Sequence, residues 1–203
     1  MVEVKGGTFR MGERKDVVTV RSFCLEVNEV TVDRYTACVQ SDGCSKEDVS
    51  KVSGCNYGLP GQGNHPMNCV DWTQSASFCG AYGHRLPSEE EWEWSARGGA
   101  RGTTYPWGNA EPDAQLCWSG VALRSGTCAT GSLPAGDSPL GIHDLAGNVW
   151  EWTASWHDAS ARVYRGGGWG SNVASGVRGA TRLWNGPWNR YAIVGFRCAH
   201  NLP

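Results

Sequence analysis

Apolar positions fall in short runs along this chain, and three stretches carry them at helical spacing. Thr31 is placed to cap the first, with Val32, Tyr35, Cys38 and Val39 on one face. Asp71 caps a second that runs through Tyr82, where Trp72, Ala76, Cys79 and Tyr82 recur on roughly one side. The third start is the sharpest: Ser88 with Glu91 three residues on is a capping box for SEEEWEWSAR, which Gly98-Gly99 end. Glu89, Glu90, Glu91 and Glu93 then lie where carboxylates favour the helix dipole, and they are expected to face solvent. Upstream, GGTFRMG (Gly6–Gly12) reads as a turn with a short strand, and Ser22–Val27 as a second strand. The run GCNYGLPGQGNHPMN from Gly54 to Asn68 is turn chemistry. Beyond Gly99 no helical period survives. Short apolar pieces between Gly, Pro, Ser and Asp predict strands and long loops, with no repeat and no linker.

Composition narrows the class. The 203 residues suit one domain spanning 1–203, and 28 glycines with 11 tryptophans point to many turns held by aromatic plugs. Lys and Arg number 18 against 20 Asp and Glu, a formal charge of −2, and no long run of one sign stands out. That pattern excludes a phosphate-tracking nucleic-acid protein and a membrane-surface binder. No apolar stretch approaches the roughly 20 residues of a membrane span, and no signal-peptide core follows Met1–Lys5, so a soluble, monomeric chain is expected.

The nine cysteines lack the C-x-x-C pairs of a zinc site, which makes disulfides the stronger reading. Cys24, inside the apolar run SFCLEV, is the one expected to stay free. Eight paired cysteines imply an oxidising compartment, extracellular or periplasmic. No catalytic constellation accompanies them. The five histidines are scattered, none at the i, i+4 spacing of a helical metal site, and no G-x-S-x-G elbow occurs.

Eight segments in order, GGTFRMG, EVTVDRY, HPMNCVDW, CGAYGHRLPSEEEWEWSARGG, YPWGN, GIHDLAGNVWEW, RVYRGGGW and VGFRCA, resemble the successive signatures of the formylglycine-generating-enzyme (sulfatase-modifying factor) domain. The resemblance covers nearly the whole chain. It implies an α+β fold, an irregular relative of the C-type lectin with few short strands, two to three helices and much ordered loop. It also implies a Cys79–Cys198 disulfide, with Cys38–Cys44, Cys55–Cys69 and Cys117–Cys128 paired by proximity. A structural calcium ion is implied at the Asp144 side chain, the Gly147 and Val149 carbonyls and the Glu151 carboxylate, hard oxygen donors of the kind Ca²⁺ prefers. The family's second calcium site finds no matching ligands near Cys117–Cys128, where a disulfide replaces it as the tie.

Active members of that family carry two cysteines, with four residues between them, that bind copper(I) and activate oxygen, a task suited to soft thiolates. In RGGGWGSNVASGVRGATR, Arg165 to Arg182, the resemblance places Ser171 and Gly176 at those positions. Neither can act as a thiolate, so copper is not expected and the family's oxidase activity on a sulfatase cysteine becomes the alternative reading. Asn172 follows the first position, Gly168 replaces a substrate-side serine, and the segment is about two residues short. Trp150 and Arg182 match active-site positions but are expected to plug the core and to pair with backbone or carboxylate groups.

What remains is a scaffold with loops rich in Gly, Ser, Asn, Trp and Tyr, the residues of adaptable binding surfaces. The C-terminal segment is similar to the variable segment of diversity-generating-retroelement proteins. A ligand-binding face for a protein or glycan is therefore expected from Ser171, Asn172, Ser175, Trp184, Trp188, Asn189 and Tyr191 converging on one patch. Val177, Ala180, Val194 and Phe196 should point inward, braced by Arg178, Arg182 and Arg197 on backbone carbonyls. The competing readings are core-plug tryptophans in an ordinary loop, and an accessory domain of a secreted assembly.

Overall fold

All three capping residues do what their sequence positions require. In the computed structural model, which describes residues 1–202, Thr31 opens helix α1 (Val32–Gln40), Asp71 opens α2 (Trp72–Ala81) and Ser88 opens α3 (Glu89–Ala96). Full capping boxes form at Asp71/Gln74 and Ser88/Glu91, so two orphan N–H groups are satisfied reciprocally at each start. Helix α3 ends at Arg97, where the chain turns into the left-handed Gly98, φ 63°.

Strands are short and fall into three sheets. Strands β1 (Val2–Val4), β4 (Phe23–Leu25) and β9 (Ala199–Asn201) form one, in the order β1-β4-β9, bringing the two chain ends together. Strands β2 (Gly7–Met11) and β3 (Asp16–Val20) form a hairpin. Strands β5 (Trp150–Asp158), β6 (Ala161–Arg165), β7 (Arg182–Asn185) and β8 (Val194–Gly195) form the third, in the order β7-β6-β5-β8, antiparallel except for the β5/β8 pair. The two expected N-terminal strands are β2 and β4. Strands β1 (VEV) and β3 (DVVTV) lie outside the two expected runs and pair with β4 and β2.

The main core gathers around Tyr35, Phe78, Trp150, Trp152, Tyr164 and Phe196, with Tyr35 stacked on Phe78 at 5.6 Å. A second centres on Trp92, Trp94, Phe9 and Leu25 between α3 and the N-terminal strands. Each fully buried Trp removes about 200 Å² or more from water, so a few such plugs anchor long stretches without regular structure.

Four disulfides pair Cys38–Cys44, Cys55–Cys69, Cys79–Cys198 and Cys117–Cys128, leaving Cys24 free, as anticipated. Cys24 is half-buried in the middle strand of its sheet.

Several local expectations are corrected. The buried side of α2 is Gln74, Ser75, Phe78 and Cys79, while Tyr82 is 46% exposed and Trp72 and Ala76 are half-buried. Gln74 and Ser75 can be interior because each is hydrogen-bonded at the helix start. The α3 carboxylates do not all face water. Glu89 and Glu93 are buried, and Glu93 pairs with the fully buried Arg165 and with Arg97 at 2.7 Å. Glu89 holds Arg182 at 2.6 Å, so Arg97, Glu93, Arg165, Glu89 and Arg182 alternate in sign from α3 onto the third sheet. Burial lowers the pKa of Arg165, and Glu93 and Glu89 offset part of that effect.

Candidate functional site

The C-terminal loops begin on β6 and pass through Gly166, Gly167 and Gly168. Gly167 must be glycine: its φ is 78°, and a methyl there would lie 2.8 Å from the Gly176 carbonyl oxygen and 2.7 Å from Val177. This close approach folds the segment back on itself. The Ser171 N–H donates to the Gly168 carbonyl at 2.9 Å, and the Ser171 hydroxyl accepts from the Gly168 N–H at 3.1 Å. A side chain at Gly176 would begin 3.9 Å from both Cβ and Oγ of Ser171. Positions 171 and 176 therefore face each other at a separation that two thiolates could bridge with one soft ion, but they present one hydroxyl and one hydrogen.

Trp150 is buried, packs on Gly168, and meets Tyr164 edge-on with ring centroids 5.5 Å apart. Arg182 is held by Glu89 rather than by backbone carbonyls. Arg197 alone fills the expected bracing role, donating to the carbonyls of Glu26, Val27 and His143. Arg178 is exposed and makes no side-chain hydrogen bond among the described residues. Val177, Val194 and Phe196 are buried as expected, whereas Ala180 is half-buried.

The expected binding residues lie on three segments, of which the 168–178 loop adjoins the 189–193 stretch through the Trp169 indole on the Ala192 carbonyl. Ser171, Asn172 and Ser175 stay on the 168–178 loop, with Asn172 and Ser175 exposed. Asn189 and Tyr191 gather on Asn185: the Asn185 amide donates to the Tyr191 hydroxyl at 2.7 Å and accepts from the Asn189 amide at 2.7 Å. Trp188, 64% exposed, lies against Gly186 beside them. Trp184 precedes Asn185 on β7 and so points to the opposite face of the strand, where the His157 imidazole stacks on it at 3.8 Å. Alternation along β7 is what divides the set.

Asn185 was not marked by any sequence signal, and neither was the cation stack nearby. On the Asn185 face, Arg162 is clamped between the Trp72 and Trp156 indoles at 3.7 and 3.4 Å. Trp156 remains 52% exposed. The three residues come from separate elements, and only the β5–β6 register, with Trp156 opposite Arg162, assembles them.

The implied calcium ligands lie in the turn before β5, except Glu151, which is on β5 itself. Asp144 is buried, φ 56°, and its Oδ2 accepts from the Gly131 N–H at 2.7 Å. Glu151 takes Arg197 through both oxygens at 2.7 Å and the Trp92 indole N–H at 2.8 Å. A third carboxylate, Glu29, is fully buried and accepts from Asn148 and from the Val149 N–H. Burial, then the charges of Asp144 and Glu151, hold Glu29 well above the usual carboxylate range, and burial raises Asp144 as well. Three carboxylates thus share one guanidinium. Among the described residues no three acidic, histidine or cysteine side chains converge to hold a metal ion, so any cation here would have to rest on the free Oδ1 of Asp144 and on backbone carbonyls.

Residues 1–202 match the model of the sulfatase-modifying factor enzyme 1-like domain. The chain belongs to the sulfatase-modifying factor family. It is 39% identical to the inactive C-alpha-formylglycine-generating enzyme 2 of Bos taurus, over 98% of this chain and 87% of that protein. It is 34% identical to the formylglycine-generating enzyme of Mus musculus over 67% of this chain, but that match spans only 44% of the mouse protein. Among solved structures, Treponema denticola variable protein 1 superposes with a TM-score of 0.78 at 21% identity, over 98% of this chain and 94% of that one. The three comparisons agree on the scaffold, a sulfatase-modifying-factor fold shared with the variable protein.

Proposed function

We propose that this chain is a ligand-binding module built on the sulfatase-modifying-factor scaffold, presenting its C-terminal loops to a protein or glycan, and that it does not generate formylglycine. The proposal rests on one observation: Ser171 and Gly176, the positions that the family resemblance gives to the copper-binding cysteines, face each other and carry no thiol. Cys24 lies in the N-terminal sheet and the other eight cysteines are oxidised in disulfides, so none can substitute. The bovine relative that is named inactive supports the same direction. The exposed Asn172, Ser175, Trp184 and Trp188 supply rigid aromatic area and adaptable hydrogen bonds.

One structural calcium ion belongs to the same reading, held by Asp144, the Gly147 and Val149 carbonyls and the remaining lone pair of Glu151. Its charge would offset that of Asp144, since Arg197 already takes Glu151 through both oxygens. Four disulfides are compatible with an extracellular or periplasmic setting, and no helix among the described residues is long and apolar enough to cross a membrane.

Titration of Cu(I) against a chromogenic chelator tests the proposal. The native chain should leave the chelator saturated, and the Ser171→Cys/Gly176→Cys variant should withdraw one equivalent. Gly176 does not require a positive φ, so a cysteine is tolerated there. Withdrawal of copper by the native chain would contradict the proposal.

A further inference from the structure

The two loops tied by Cys55–Cys69 and Cys117–Cys128 enclose a groove of about 450 Å³ on the Trp169 side of the molecule. We propose that this groove binds a carboxylate carried by an extended peptide, with Arg124 as the cation that receives it. The inference deepens the ligand-binding reading given above and rests on it.

Arg124 is the anomaly that points there. Among the described residues, every other buried or half-buried arginine has either a carboxylate partner or a pair of indole faces: Arg85, Arg97, Arg165, Arg182, Arg190 and Arg197 the former, Arg162 the latter. Arg124 has neither. Its Nε donates to the Trp118 carbonyl at 3.0 Å and its Nη1 to Cys128 Sγ at 3.1 Å, a weak acceptor. The guanidinium is thus oriented but not neutralised, which is the condition for charge-assisted capture of an anion.

The wall around it is built to match. The backbone N–H groups of Ser125, Gly126 and Thr127 make no hydrogen bond within the described residues. The Thr127 hydroxyl is fixed between the Asn56 amide at 3.0 Å and His65 Nδ1 at 2.8 Å, which holds that segment against the opposite loop. The Gln62 side-chain oxygen on the wall is shielded without a donor, an acceptor suited to a peptide N–H. Two leucines flank the cation, Leu59 at 52% and Leu123 at 94% exposed. A peptide with apolar residues beside an acidic one would cover these leucines and meet the guanidinium together. A sugar acid would leave the leucines in water.

Arg124 is also wired to the 168–178 loop. Its backbone N–H donates to Ser119 Oγ at 3.1 Å, Ser119 Oγ donates to the Trp169 carbonyl at 2.8 Å, and the Ser119 N–H donates to the Ser171 carbonyl at 2.8 Å. A ligand seated on Ser171 and Asn172 therefore has the cation at a fixed place beside it.

The test is an ¹⁵N NMR titration of the intact chain with acetyl-Leu-Glu-Leu-amide, with the Gln counterpart, and with glucuronate. Saturable shifts at Ser125, Gly126, Thr127 and Arg124 Nε are expected from the Glu peptide, with binding at least tenfold weaker for the Gln peptide. Arg124→Gln should lose the response to the same extent, and Arg124→Lys, which keeps the charge should the Gln variant fold poorly, should retain part of it. Equal response to both peptides, no response, or an undiminished response in Arg124→Gln would overturn the proposal. A response to glucuronate alone would overturn the peptide assignment. Failure in the groove with ligand protection retained at 171–191 would remove the groove and leave the loop reading standing.

Discussion

Replacing Trp188 with Ala separates a binding face from a core plug. Trp188 is 64% exposed, so only about a third of its ~250 Å² is shielded; at ~25 cal/mol per Å² the truncation costs at most about 2 kcal/mol. Trp152, fully buried with its indole N–H on the Val70 carbonyl at 3.1 Å, should cost roughly 3–5 kcal/mol for the same change. For a chain of this size each kcal/mol moves the melting temperature by about 2–4 °C, so the two variants should be distinguishable by calorimetry under one buffer. Trp188→Ala should also keep the Asn185–Tyr191 hydrogen bond, since neither partner depends on the indole. A melting temperature as low as that of Trp152→Ala would mean that Trp188 anchors the fold, and the exposed face would lose its main aromatic contact.

Removing the Cys79–Cys198 bridge as a double Ala variant should destabilise more than removing Cys38–Cys44, about 5 against about 2 kcal/mol, because the closed loops differ in sequence separation, 119 against 6; equal losses by chemical denaturation would refute the loop-entropy argument. Calcium at a hundredfold its dissociation constant should stabilise by about 2.7 kcal/mol, seen as a melting temperature that falls on adding chelator, and Asp144→Asn should abolish that difference. An unchanged melting temperature with no calorimetric Ca²⁺ uptake would remove the site. Burial holds His65 below the usual imidazole range, so the folded state binds fewer protons than the unfolded one. Its contribution to stability is present above about pH 6.5 and is lost as pH falls toward the folded pKa; His65 ring-proton shifts should titrate below 6.5.

Local signals in the sequence were legible and distant ones were not. Thr31, Asp71 and Ser88 cap as read because a cap is settled within four residues. The burial of Glu89 and Glu93 was not readable: their partners Arg182 and Arg165 lie 93 and 72 residues away, and without them a carboxylate-rich helix start belongs in water. The candidate site divides in the same way. The facing of positions 171 and 176 follows from a glycine run and a short return of the chain, but the division of Trp184 from Asn189 and Tyr191 depends on which residue of β7 opposes Arg162. The Arg124 groove is assembled by two disulfide loops whose mutual position no short motif encodes.

The most direct measurement is peptide oxidation. Purified chain, reductant, Cu(I), oxygen and a sulfatase-motif peptide are incubated together, and the cysteine-to-formylglycine conversion is followed by mass spectrometry beside an active enzyme of the family. With Ser171 and Gly176 facing each other and no thiol between them, conversion by the native chain should equal the protein-free blank. Copper-dependent turnover above that blank, abolished by changing some other residue of this chain, would contradict the assignment of this scaffold to ligand binding.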